Sequence, residues 1–306
     1  MKLNEISQKD VLTQTFVKNM IERSTVLEFA EFYSIVGNAD YTRKASSASG
    51  GRFRELNQDY PTNAVSPAYA NPTLKIFGDK VQVDRAHERR GLDVASVRAR
   101  ELVNFAKSLG KQFQYYFFLG DGTNGTIAGL KNIISESETI TAATNGLAVP
   151  LGNDNTSKTT QQKFLELIDK LIQSVEGGAQ VIFMNPMVLS RLTSIAREYI
   201  KYETNEFGTP VPFYNGVPLR SAGYSAQGEM ILDFNETVGT SNDCSSIYAV
   251  RFGEAADLSV ATNIGVEIKD LGLVGNYYTH SVDFDIDLVL LNQKSVARLK
   301  GIKLAS

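Results

Sequence analysis

Apolar positions recur every three or four residues along 92–119, at Ala95, Ala99, Leu102, Phe105/Ala106, Leu109, Phe113 and Tyr116/Phe117. That period predicts one long amphipathic helix with a single buried stripe. Asp93 stands where an N-cap belongs, and Gly120 and Gly122 stand where a helix must stop. The helix breaks in Leu119-Gly120-Asp121-Gly122-Thr123-Asn124-Gly125, and its pattern resumes at 126–130. Up to its break it is a rod of roughly 35–40 Å at 1.5 Å per residue. A small domain has no need of such length, so it reads as the spine of a flat, wide subunit.

The remaining pattern is mixed. Residues 10–35 read as helix, through Val11/Leu12, Thr15/Phe16, Asn19/Met20, Val26/Leu27, Ala30 and Tyr33. The run Ala45-Ser46-Ser47-Ala48-Ser49-Gly50-Gly51 is too small and polar to pack a core. Between 52 and 85 the helical period is lost, Pro61, Pro67 and Pro72 interrupt, and Leu74/Ile76 and Val81/Val83 alternate weakly. This predicts a long extended excursion with strand-like legs, a length that makes sense inside a compact domain only if it has a task. After a Thr/Asn/Ala-rich loop at 135–158 a second helix is expected over Phe164, Leu167/Ile168, Leu171/Ile172 and Val175, stopped by Gly177-Gly178. A buried strand at 179–184 then runs into Asn185-Pro186, an N-cap followed by proline at the first helical position, and a helix as far as Tyr199/Ile200. Asn215-Gly216 predicts a hairpin over 211–219. Short strands are expected at 229–234, 246–252, 258–262 and 266–269, and strict alternation from Val282 to Leu290 closes the pattern. This order is α+β without βαβ repetition.

Composition narrows the function. A formal net charge of −3 over 306 residues argues against a dedicated nucleic-acid binder. One cysteine, Cys244, excludes an intrachain disulfide framework and a multi-cysteine zinc site. The first ten residues lack the apolar stretch of a secretory signal, and no run of about 18 apolar residues predicts a membrane span, so a soluble, cytosolic protein with no membrane partner is the expectation.

The candidate chemistry is thin. Gly120–Thr126 resembles a phosphate loop but follows a helix C-terminus rather than preceding an N-terminus, and Thr126 stands where a Walker lysine would be. With Asp121 as its only carboxylate it also lacks a calcium loop's ligands. A structural turn is expected. Asp283, Asp285 and Asp287 share one strand face but lie roughly 6.5–7 Å apart from neighbour to neighbour, too far to ring one cation unaided. A solvated or subunit-contacting face is expected. Asp84-Arg85-Ala86-His87-Glu88-Arg89-Arg90 predicts an ion-pair network between chain segments or subunits rather than acid–base catalysis, because no nucleophile motif accompanies His87 or the distant His280. Arg43, Lys44, Arg52 and Arg54 form a mild basic patch that fits weak phosphate contact and a solvated linker equally well. No catalytic residue, cofactor site or metal site is assigned.

Taken in order, these pieces resemble the major capsid protein of tailed bacteriophages, the Hong Kong 97 fold that encapsulins share. The resemblance rests on the spine helix closing in Gly-Asp-Gly with Ala128-Gly129-Leu130 after it, and on a buried strand running into Met184-Asn185-Pro186. It continues through Tyr214-Asn215-Gly216-Val217-Pro218-Leu219, Ala249-Val250-Arg251-Phe252-Gly253-Glu254 and the alternating strand. It implies an N-terminal arm at 1–51, an extended loop at 52–85, a peripheral domain at 86–130 and 275–306, and an axial domain at 131–274. It implies a non-catalytic shell protein of a virion, assembled in the host bacterial cytoplasm from hexamers and pentamers around double-stranded DNA that it contacts non-specifically. A portal is implied too, and, since 1–51 is too short for a built-in scaffolding domain, a separate scaffolding protein or none. Arg52, Arg54, Glu55, Lys75, Lys80, Asp84, Arg85, Glu88, Arg89, Arg90, Asp283, Asp285 and Asp287 are the expected subunit contacts. Lys75 and Lys80 lie where some relatives cross-link, but no matching Asn and Glu are found, so that chemistry is not carried over. An encapsulin-like compartment and an α+β enzyme using Asp121 or His87 are the alternatives.

Overall fold

A computed structural model describes residues 1–7, 10–37, 42–43, 53–60, 69–91, 93–205 and 207–305. The spine is helix α4, Val94–Leu119, about 39 Å long. The Asp93 carboxylate accepts from the Ala95 N–H at its start. Leu102, Ala106, Leu109, Gly110, Phe113, Gln114, Phe117 and Phe118 are buried, whereas Ala95 and Ala99 are exposed, so the apolar stripe is covered only from the third turn onward.

Two sheets flank the spine. The outer one has four strands in the order β1 (Phe32–Ser34), β13 (Leu258–Val274), β14 (Tyr277–Leu290), β4 (Lys75–Asp84). The inner path runs β5 (Thr139–Thr141), β15 (Val296–Leu304), β12 (Ser241–Val250), β7 (Val181–Met184), β10 (Val217–Ser221), β9 (Pro210–Tyr214), β8 (Ile200–Thr204). Off this path, β6 (Leu147–Val149) pairs with β15 and β11 (Glu236–Val238) with β12. A ribbon joins β2 (Thr42–Arg43) to β3 (Tyr69–Ala70). The other helices are α1 (Leu3–Ile6), α2 (Val11–Arg23), α3 (Ala86–Arg89), α5 (Leu130–Ile133), α6 (Asn155–Ser174) and α7 (Pro186–Ile195).

β7 explains the layering. Its four residues are all buried, because Val181 and Phe183 face the core shared with the spine while Ile182 and Met184 face a second core under α6 and α7. A strand covered on both faces reads as a continuous apolar run. In β12 likewise, Tyr248 and Val250 join the first core, and Ile247 and Ala249 the second. The expected N-cap at Asn185 forms: its Oδ1 accepts from the Met187 N–H at 2.8 Å, and its amide donates to the Leu232 carbonyl at 2.7 Å. Asn215 and Gly216 adopt positive φ and turn β9 into β10, as the hairpin signal required.

Several expectations need correction. The helix predicted over 10–35 ends at Arg23, and Phe32–Ser34 instead pairs in parallel with β13. Part of the segment assigned to the N-terminal arm packs at home: Leu3, Val17, Met20 and Phe32 are fully buried in the core of their own chain. β13, assigned to the axial domain, is one strand with a register shift after Thr262, and it lies in the outer sheet. β4 runs through both strand-like legs expected in the extended loop as one strand and joins the outer sheet. β15, assigned to the peripheral domain, pairs with β12 in the inner sheet. The strand expected at 229–234 is an isolated bridge, Tyr224 to Met230, and α6 already begins at Asn155, inside the expected loop. α7 stops at Ile195, so Ile200 is strand. The run 45–51, Pro61 and Pro67 lie outside the described residues.

Candidate assembly surfaces

The glycine-rich segment after the spine is a self-contained turn. Asp121 accepts from the Thr123 hydroxyl, the Thr123 N–H and the Thr126 hydroxyl, and these bonds hold its carboxyl down at about 2. Its backbone bridges to Ala128, and the Gly129 N–H donates to the Gly120 carbonyl at 2.8 Å. A side chain on Gly120 would overlap the Ile127 carbonyl, so close backbone approach demands glycine there. Both carboxylate oxygens of Asp121 thus accept from within its own loop.

The three strand aspartates are likewise engaged one by one. Asp283 accepts from the Ser281 hydroxyl at 3.1 Å, Asp285 from the Asn263 amide at 2.8 Å, and Asp287 from the Thr73 N–H at 2.9 Å. Burial raises the Asp287 carboxyl above its ordinary range, partly offset by that N–H. All three are half-buried on a strand paired on both sides, which leaves part of this face to solvent or to another subunit.

The other expected contact residues follow the outer rim. Lys75 and Lys80 lie on β4, the edge strand of the outer sheet, ten residues and about 33 Å long. Asp84 ends that strand and accepts from the Ala86 N–H at 2.8 Å; the Arg85 N–H donates to the Asn276 carbonyl at 3.0 Å. Glu88, Arg89 and Arg90 follow, exposed. Among the described residues Lys75, Lys80, Asp84, Arg85, Glu88, Arg89 and Arg90 form no ion pair, so the expected network does not close within the subunit. Arg54 and Glu55 sit apart from this rim in the 53–60 segment, where Arg54 lies 5.3 Å over the Tyr60 ring and the Gln58 side-chain amide donates to Glu55 at 3.5 Å. Arg52 lies outside the described residues.

Charge-based reading missed the apolar surface. Ile76 on β4 is 77% exposed beside a hollow of about 310 Å³ lined by Phe77, Phe113, Tyr116 and Ile127. Phe53 and Leu56 stand almost wholly in solvent, Leu271, Leu273, Val274 and Tyr277 crowd the β13–β14 tip, and Tyr199, Tyr202 and Phe207 mark the open β8 edge. Among the described residues these two sheet edges are unpaired, and with their adjoining large apolar side chains they form a surface suited to burial by another chain. Ile76 was legible as a clue, since in a strand it shares one face with Gly78, Lys80, Gln82 and Asp84 and with no other apolar residue. Also missed were two ion pairs at the inner sheet, Arg220 with Glu28 and Arg298 with Glu236, which lock the N-terminal segment and β11 to it.

No protein-family model and no curated protein matches this sequence. Solved structures do match in fold. The holo-SrpI encapsulin complex from Synechococcus elongatus PCC 7942 superimposes with a TM-score of 0.62 at 13% identity, over 98% of this chain and 92% of that one. The capsid of the empty GTA particle gives 0.58 at 11% identity, over 98% and 93%. The capsid of Cyanophage P-SCSP1u gives 0.56 at 11%, over 92% and 89%. The chain therefore has the Hong Kong 97 capsid fold over nearly its whole length. Among the described residues no helix is long and apolar enough to cross a membrane.

Proposed function

We propose that this chain is the major capsid protein of a tailed bacteriophage, assembling as hexamers and pentamers into an icosahedral shell around double-stranded DNA. The observation that carries the reading is the near-complete overlap with capsid subunits, joined to open sheet edges flanked by unsatisfied apolar and charged side chains. The mechanism is interlocking. The 53–60 segment and the β4 rim reach neighbouring subunits, burial of Ile76, Phe53 and Leu56 supplies most of the association energy, and the unpaired charges from Lys75 to Arg90 set register. The slightly negative chain suits a container that must not hold its genome tightly. A scaffolding protein and a portal belong to the same proposal, as does assembly in the host cytoplasm.

Electron microscopy with sedimentation tests this on the chain expressed alone and with its neighbouring gene products. Closed shells, or sheets of hexamers, are expected. A monodisperse monomer under every condition would overturn the reading. An encapsulin-like compartment is a second reading, favoured by the overlap with the Synechococcus encapsulin, and particle contents separate the two. Nuclease-protected DNA marks the phage shell, and a co-purifying enclosed protein marks the compartment.

Ile76→Glu supplies a sharper result. The side chain touches little of its own subunit, so the melting free energy of the unassembled chain is expected to move by no more than about 0.5 kcal/mol. Particle yield is expected to collapse, because the charge would enter a buried contact. Unchanged particles in sedimentation would remove the β4 edge from the interface.

A further inference from the structure

Arg98 on α4, Asp270 on β13 and His280 on β14 form a closed triangle at the end of the spine. Arg98 Nη2 donates to Asp270 Oδ2 at 2.6 Å and lies 3.1 Å from His280 Nε2. Asp270 Oδ2 is 3.7 Å from the same ring nitrogen, and the guanidinium stands 5.2 Å over the Tyr278 ring. Asp270 and His280 face each other across the β13–β14 ladder, and the His280 side chain is only 8% exposed. An arginine only donates, so the nitrogen facing it must offer a lone pair, which leaves the imidazole neutral with its proton on Nδ1. Asp270 Oδ1 also accepts from the Gly272 N–H at 2.8 Å, where the ladder shifts register. The same carboxylate therefore shapes the irregularity leading into the exposed tip at Leu273, Val274 and Tyr277.

We propose that Arg98, Asp270 and His280 are a proton-operated clamp, in which protonation of His280 parts the start of the spine helix from the β13–β14 hairpin and frees the apolar tip to reorient. A proton on Nε2 turns an acceptor into a donor facing another donor, with two cations competing for one half-exposed carboxylate. Among the described residues Asp270 is the one carboxylate that acts on His280, and Asp79, a pair further along β4 opposite Val282, accepts from the Lys80 N–H instead. Opposite His280 on β4 stands the buried, apolar Val81. Glu101, one turn along the spine, is engaged by Arg100 at 3.5 Å. Lys80 and Lys269 flank the adjoining Ser281 position from either side, and Glu267 is already bound to Lys269 at 3.1 Å. Burial, and then Arg98, push the His280 imidazole below its ordinary 6.5, with Asp270 pulling the other way. The folded chain thus binds this proton less readily than the unfolded one. The clamp's contribution is complete above about pH 6.5 and is lost as pH falls through the lower value of His280 itself.

The full chain allows a direct test, since His87 and His280 are its only histidines. Nuclear magnetic resonance should find His280 titrating below 6.5, identified by its persistence in His87→Gln, with Arg98→Met raising the midpoint. Hydrogen exchange at 273–278, corrected for intrinsic rate, should lose protection by up to about tenfold per pH unit below 6.5 in the wild type and in His87→Gln. It should show no such loss in His280→Gln, whose amide oxygen accepts from Arg98 at every pH. An undiminished pH response in His280→Gln, or a His280 midpoint at or above 6.5, would overturn the clamp. Should His280→Gln fail to fold, the wild-type titration decides by itself. None of these measurements requires a shell, so their failure leaves the proposed function standing.

Discussion

Gly110→Val is expected to cost about 3 kcal/mol or more and to remove most soluble protein. Gly110 sits in mid-spine where glycine is otherwise unfavourable, by roughly 1 kcal/mol against alanine. Its reason is the neighbour: α2 crosses the spine so closely that even a methyl group on Gly110 would overlap the Met20 carbonyl. A branched side chain must push α2 outward, pulling Phe16, Val17 and Met20 away from Leu109 and Phe113. Inserting bulk into a packed contact costs about 1–3 kcal/mol and more where backbone is the obstacle. Urea denaturation of the unassembled chain measures it, with soluble yield as the coarse readout. A variant as stable as the wild type would show that the N-terminal segment packs elsewhere. Because 1–35 forms part of the subunit's own core, the loss should precede any effect on assembly.

Phe117→Ala is the second large effect, expected to cost about 3–5 kcal/mol. Phe117 is fully buried, and its ring lies 5.0 Å from Phe118, 6.0 Å from Phe252, and 6.4 Å from both Phe113 and Phe183. Phe113 in turn stacks on Phe284 of the outer sheet, at 6.5 Å. The cluster therefore joins both sheets through the last turns of the spine, and truncation opens a cavity at the junction rather than at a periphery that can collapse. The same urea titration reads the midpoint, and Phe117→Leu, which refills much of the volume, should recover a large part of the loss. Equal losses for alanine and leucine would point to ring geometry instead of volume.

These two positions have consequences for assembly. The aromatic cluster joins the two sheets, whose outer edges are β4 in one and β8 in the other. Those edges carry the exposed apolar side chains, and the charged rim from Lys75 to Arg90 adjoins the first. Assembled as proposed, the subunit would gain further stability from its neighbours, and its melting would depend on concentration.

The local features were legible in the sequence. The spine and its N-cap at Asp93, the buried Val181–Met184 strand, the Asn185 cap and the Asn215-Gly216 turn each follow from a period or a short-range bond among residues close in the chain. So did Asp121 as part of a turn, since its partners Thr123 and Thr126 lie two and five residues away. Features that depend on residues far apart were not. Phe32–Ser34 looks helical in its own context, and only the edge of β13, more than two hundred positions later, makes it a strand. β15 lies beyond the pattern, which closes at Leu290, and it becomes a strand by pairing with β12. Charges at Asp283, Asp285 and Asp287 suggested an outer surface because polarity alone cannot reveal that Ser281, Asn263 and Thr73 arrive to bond them. Periodicity and capping, being local energies, let the sequence by itself determine the long helices, the buried strand, the hairpin turn and the α+β order of the fold. Sheet membership, the burial of the N-terminal segment and the meeting of Arg98, Asp270 and His280 were decided only by the tertiary structure, because they come from pairing and close packing between segments that no local pattern connects.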